Sequence, residues 1–173
     1  LWFANPTTWK DPFESRFVTA KYLDKGEKID YQWTDRVFCA CFTETVTSEA
    51  YWAPYSQRQI GVEFRMNRQE LLKVLEGYAD LYDIYIGKVE YMLNSQIKGP
   101  LKSIPFGEPV PLPKTKSWWA RLLLIKRKAF KYEDEIRIII VKKEKTQEKG
   151  MQIKYDCKNT DIIYAIVLYP SIE

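Results

Sequence analysis

The sequence predicts a single α+β domain, built on a mostly antiparallel or mixed sheet with a few short flanking helices. Strand-like and helical segments mix without a regular βαβ alternation. The 173 residues, 46% of them hydrophobic, suffice for one sizeable core. No internal repeat, low-complexity tract or charge block divides the chain, so residues 1–173 are expected to form one domain.

Leu1 to Ala4 is apolar and meets Asn5-Pro6, which reads as a short strand closed by a turn; Asp11-Pro12 is a second break. Val37 to Phe42 reads as a buried strand whose faces are Val37, Cys39, Cys41 and Phe38, Ala40, Phe42. Ser48 to Ser56 reads as a short helix carrying Trp52 and Tyr55. Ile60, Val62 and Phe64 alternate with Gly61, Glu63 and Arg65, the period of a half-buried strand. Asn67 with Glu70 forms a capping-box pattern ahead of Leu71, Leu72, Val74 and Leu75, and Gly77 ends that helix.

Tyr82 to Met92 returns to extended character, with Ile84, Ile86 and Tyr91 as inward candidates. Lys98 to Lys116 holds Pro100, Pro105, Pro109, Pro111 and Pro113 and reads as a long crossing loop. Trp118, Trp119 and Leu122 to Ile125 read as an amphipathic helix running into the basic stretch Lys126 to Lys131. Adjacent tryptophans on a helix point about 100° apart, so Trp119 is expected in the core with Leu122 and Leu123 while Trp118 covers the loop. Glu135 to Val141 is the strongest strand signal, with Ile136, Ile138 and Ile140 buried. Lys142 to Lys149 reads as a hairpin tip, Met151 to Tyr155 as the returning strand and Ile162 to Leu168 as a final buried strand.

The chain contains no histidine. That excludes Ser-His-Asp and Cys-His catalysis, histidine zinc sites and an imidazole pH switch, leaving carboxylates, Tyr, Lys, Arg, hydroxyls and Cys for any chemistry. Cys39 and Cys41 sit at strand spacing with Cys157 distant, which gives neither a C-x-x-C metal pair nor an evident disulfide and points to a reduced, cytoplasmic setting. No run of about 18 apolar residues and no basic-then-apolar leader occurs, so no membrane association is expected. A net charge of +4 does not by itself imply nucleic acid. The Lys126 to Lys131 run has two readings, a phosphate footprint or cations at a helix C-terminus. Neither a Walker loop nor Gly-x-Gly-x-x-Gly is present.

Chemistry is expected first at Tyr132-Glu133-Asp134-Glu135-Ile136-Arg137. On a strand, Glu133, Glu135 and Arg137 would share one face, with the two carboxylates about 7 Å apart. The same pattern also fits a solvated face of ordinary cross-strand ion pairs. Thr43, at the end of its strand, could anchor a sugar or phosphate or simply form a polar exit. Trp52 and Tyr55 could stack on a flat ligand or pack in the core. Asp11-Pro12-Phe13-Glu14 could close over a site or cap a turn.

The order of motifs resembles the bacterial domain of unknown function family 2971: Leu1-Trp2-Phe3-Ala4-Asn5-Pro6, Asp11-Pro12-Phe13-Glu14, Cys41-Phe42-Thr43, Trp52-x-x-Tyr55, Gly61-Val62-Glu63-Phe64, Val89-Glu90-Tyr91, Lys128 and Tyr132-Glu133-x-Glu135-x-Arg137. That family has more chain at either end, so the sequence is expected to be trimmed at both. The resemblance implies a small soluble prokaryotic or phage-associated protein without an established activity; a setting in phage or stress defence is expected only for a nucleotide-handling enzyme of the kind considered next.

More loosely, the chain is similar to the ADP-ribosyltransferase-like fold, which implies a split sheet and NAD as substrate. Glu133-Asp134-Glu135 would be the E-x-E motif and Thr43 the hydroxyl, while the first-strand Arg or His of that fold is missing from Leu1 to Pro6. In such a site Glu135 would stabilise an oxocarbenium-like state and Glu133 would orient the acceptor. Arg137 or Lys128 would meet a diphosphate and Trp52 or Tyr55 would stack on a ring. No metal is required. The alternative is a non-catalytic binding or interaction module in which the Glu133, Glu135 and Arg137 ladder is structural. The resemblance leaves the oligomeric state open.

Overall fold

The computed structural model describes residues 1–25, 27–45, 61–97, 110–111, 116–158 and 160–168. Its central sheet has five antiparallel strands in the order β11-β1-β4-β10-β6, namely β1 (Trp2–Ala4), β4 (Val37–Thr43), β6 (Tyr82–Lys88), β10 (Glu135–Lys142) and β11 (Gly150–Gln152). Smaller sheets join β2 (Tyr22–Asp24), β3 (Glu27–Ile29) and β8 (Val110–Pro111), β5 (Val62–Met66) with β12 (Ile163–Leu168), and β7 (Glu90–Met92) with β9 (Ile125–Arg127). The β2–β8 and β7–β9 pairs are parallel. The helices are α1 (Pro12–Thr19), α2 (Arg68–Glu76), α3 (Asn94–Ile97) and α4 (Lys116–Leu122), with 3-10 turns at Pro6–Thr8 and Lys128–Glu133. This is the α+β class that the sequence predicts, without a closed barrel. No helix among the described residues is long and apolar enough to cross a membrane.

The β-branched run of β10 makes it a central strand, paired along its length with β4 and β6. Both of its faces are covered. Ile138 and Ile140 enter a core with Phe3, Phe38, Leu71, Leu75 and Ile162. Ile139 and Val141 enter a second core with Tyr22, Tyr31, Trp119 and Leu123. Ile136 is half-buried. Trp119 is held edge-on by Tyr22 at 4.7 Å and Tyr31 at 4.8 Å between ring centres, and the Tyr31 hydroxyl donates to its carbonyl. Trp118 packs edge-on against Trp119 at 6.4 Å and is half-buried. Asn67 caps α2 through the Gln69 and Glu70 amides and Gly77 closes it, as the sequence predicts, although the Glu70 side chain pairs with Lys73.

Several expectations require correction. The Trp118 and Trp119 helix stops at Leu122, and Ile125 to Arg127 form β9 beside β7, so Lys126 and Arg127 lie in a strand rather than at a helix end. Lys142 to Lys149 is not a hairpin tip, because β11 pairs with β1 and not with β10. Val62 and Phe64 on β5 are exposed rather than inward, as is Ile86, and β12 turns Tyr164, Ile166 and Leu168 outward instead of being a buried strand. Asp11-Pro12 is not simply a break. Its carboxylate accepts from the Phe13 amide and Pro12 opens α1, because proline suits the first helical position, where no intrahelical amide is needed. Most of the proline-rich segment, the predicted Ser48 to Ser56 helix, and Trp52 and Tyr55 lie outside the described residues.

Ile139 has no exposed surface. Replacing it by Ala should cost about 3 to 4 kcal/mol in denaturant melts, through lost burial and an unfilled cavity. Ile86→Ala, on a side chain with 45% exposure, should cost under about 1 kcal/mol.

Candidate functional site

Glu135 and Arg137 leave β10 on one face, yet that face is interior, with Glu135 5% and Arg137 1% exposed. Glu133 does not belong to the strand. It ends the 3-10 turn, and Asp134, at φ 39°, reverses the chain so that the Glu133 carboxylate still reaches the same interior. Helix α1 supplies Glu14 and strand β9 supplies Lys126, both 8% exposed. A cluster of three carboxylates and two cations results, drawn from α1, β9, the 3-10 turn and β10. With every group ionised it carries one excess negative charge.

Arg137 is nearly saturated. Its Nε and Nη2 donate to the two oxygens of Glu135 at 3.0 and 2.9 Å, Nη1 donates to the Leu123 carbonyl at 2.6 Å, and Nη2 also donates to Glu14 Oε1. The Trp9 ring covers the guanidinium at 4.5 Å. Lys126 Nζ donates to Glu133 Oε2 at 2.5 Å and Glu135 Oε2 at 3.1 Å, and lies 3.9 Å from Glu14 Oε2. The Tyr91 hydroxyl accepts from the Glu135 amide, and burial pushes its own ionisation up to about 12. Gly87 lies opposite Arg137 because a Cβ there would come within 2.4 Å of Leu124 Cδ1, the residue after the carbonyl that holds Arg137. Beside the cluster, Arg127 lies between the rings of Phe13 and Phe130, at 4.8 and 4.9 Å, and pairs with Asp11 at 3.1 Å.

These surroundings separate the carboxylates. Burial raises the Glu14 pKa, and the charges of Arg137 and Lys126 only partly offset this. Burial acts on Glu135 too, but the charge and hydrogen bonds of Arg137, followed by the charge of Lys126, outweigh it and hold that carboxyl below the usual range. For Lys126 burial favours the neutral amine, yet the nearby carboxylates, Glu135 first, keep it protonated. Glu14 therefore takes a proton more readily than Glu135. Cys41 is exposed as a residue, but its thiol is crowded against Glu135. Burial of the sulfur and the Glu135 charge raise its pKa, so it stays a thiol that hydrogen-bonds Glu135 instead of a reactive thiolate.

The structure brings Glu133, Glu135 and Arg137 together, but neither as an open ladder nor as a solvated face. Thr43 lies directly across from Glu135, exposed, and its hydroxyl donates to the Glu133 carbonyl at 2.7 Å and accepts from the Thr45 amide at 3.0 Å. Lys128 is exposed and borders a separate depression of about 380 Å³ with Met92 and Ser95. A groove of about 970 Å³ lined by Tyr31, Trp33, Arg36 and Lys116 includes none of the cluster. Trp52 and Tyr55 fall outside the described residues. Sequence reasoning left Trp9, Lys126 and Cys41 out of the site and weighed Glu14 only within Asp11-Pro12-Phe13-Glu14, as a loop closing over a site or a turn cap. An acid in the first turn after a proline and a lysine following Ile125 were the available signals.

No protein-family model, curated protein or solved structure matches the chain.

A group whose carboxyl is raised on folding stabilises the fold below its folded pKa, and that contribution is lost as pH rises from the usual value of 4.5 through the folded one. The amide in Glu14→Gln mimics the protonated acid and can still accept from Arg137. The stability of the native protein minus that of Glu14→Gln should therefore fall as pH rises across this window, in urea melts between about pH 4 and pH 8. A difference that rises with pH would contradict the assignment. Glu135, whose carboxyl is lowered, contributes with the opposite sign: its stabilisation is present above 4.5 and lost as pH falls through its folded value.

Proposed function

We propose that the chain is a non-catalytic binding or interaction module in which Glu133, Glu135 and Arg137 hold the fold together. One observation carries this reading: both oxygens of Glu135 are occupied by Arg137 and Lys126 at 5% exposure. A carboxylate that stabilises a ribosyl cation must touch it, and one that orients an acceptor must reach it. Glu133, 3% exposed and bound to Lys126, meets the same obstacle. The way the buried cluster joins α1, β9 and β10, from Glu14 to Arg137, supports this reading.

The second reading is an NAD-handling enzyme of ADP-ribosyltransferase-like type. It draws support from the direct pairing of Glu135 with the exposed Thr43, which sets an E-x-E end beside a hydroxyl. On this reading Arg137 or Lys128 would bind the diphosphate, and Arg137 would first have to leave Glu14.

Glu135→Gln separates the two. A glutamine offers one acceptor and one donor where Glu135 offers two acceptors, so its amide nitrogen must face Arg137, either alone or together with Lys126, a donor against a donor in a buried site. On the module reading the variant loses about 3 kcal/mol, seen as a melting temperature lower by about 6 to 12 °C, and the native protein releases no nicotinamide from NAD. Nicotinamide release by the native protein, abolished in a Glu135→Gln variant that melts at the native temperature, would overturn the module reading in favour of the enzyme.

A further inference from the structure

The β5–β12 ribbon inverts the usual amphipathic arrangement. Its strands pair Phe64 with Ile166 and Val62 with Leu168, and these four, together with Tyr164, form one outward face. Val62 is 48%, Phe64 53%, Tyr164 66%, Ile166 61% and Leu168 69% exposed. The opposite face carries Ala165 and Val167 with the Glu63 to Arg65 ion pair, at 2.7 Å and only half-buried. Alternation of this kind is the sequence signature of a face built for burial, and among the described residues that face is left in water.

We propose that this face packs against the same face of a second copy in a two-fold symmetric dimer. Three features select a second copy. The face is that of a two-stranded sheet, twisted as such ribbons are and with a register shift between Ile163 and Ala165, and its natural partner is another sheet face of the same twist about 10 Å away. All five of its side chains are uncharged, so a two-fold axis beside the central Phe64 and Ile166 pair brings apolar on apolar and sets no like charges together. The area also suffices: the five side chains expose on the order of 500 Å², near the top of what a monomer carries as one patch, and two such faces remove on the order of 1,000 Å², the threshold of a specific interface. The proposal is independent of the reading of the Glu135 cluster, which lies on the central sheet.

Sedimentation velocity of the whole chain from about 1 to about 100 µM tests it. The native protein should sediment as a dimer over the upper part of this range. Ile166→Lys and Phe64→Lys should each weaken the dimer more than tenfold while leaving the far-ultraviolet circular dichroism spectrum unchanged. Leu81→Lys, at an exposed apolar residue outside the ribbon, should leave the dimer as it was. A native protein that stays monomeric throughout, a dimer that survives both ribbon substitutions, or growth into open-ended oligomers would each overturn the proposal.

Discussion

Arg137 sets the terms for the rest of the structure. A guanidinium at 1% exposure in an inner strand of a sheet is tolerable only if its donors are met and its charge is balanced. The partners come from places far apart in sequence: Glu135 two residues before it, the Leu123 carbonyl at the turn after α4, Glu14 on α1 and the Trp9 ring before that helix. Meeting this requirement fixes where α1 lies, which in turn brings Phe13 and Phe17 to the core that Trp119 and Tyr31 occupy. An apolar residue at position 137 would fill the volume without specifying any of these directions. The cluster is better understood as selecting one arrangement of α1, β9 and β10 than as a large net source of stability.

Much of the scaffold was legible because it is written in local patterns. The β-branched run of β10, the Val37 to Phe42 strand, the Asn67 cap with Gly77 and the burial of Trp119 each follow from a few neighbouring residues. The site was legible only as a list of charged residues. Alternation places Glu133 on the strand, but the left-handed turn at Asp134 takes it off, and a non-glycine residue at φ 39° leaves no mark in a periodicity. The role of Lys126 was hidden because a basic run beside an apolar helix suggests a dipole effect, whereas chain reversal after Leu122 turns the same residues into a strand with alternate faces.

Strands β5 and β10 show why periodicity alone does not say which side is inside. Both alternate apolar with charged residues. In β10 the charged side is interior, because cations and carboxylates from other segments meet it there. In β5 the charged side is half-buried, with Glu63 and Arg65 paired on it, and the apolar side faces out. The deciding information is the presence of a compensating charge, which is a property of tertiary pairing. A pattern of period two therefore fixes the spacing of side chains and leaves the choice of face to whatever meets them.

The excess carboxylate gives the cluster its asymmetry. Glu135 is bound closely by both Arg137 and Lys126, and Lys126 also binds Glu133. Glu14 takes what remains, a contact with Arg137 that already serves Glu135 and a longer approach to Lys126. Burial is then less compensated at Glu14 than at Glu135, which is why its carboxyl moves up while that of Glu135 moves down within one network. Diverging carboxyls of this kind are the usual mark of an acid and base pair, but that inference needs an open face at which a substrate can meet them. Here the divergence follows from three acids competing for two cations beneath Trp9, so the same electrostatics that would suit catalysis arises from packing α1 onto the sheet.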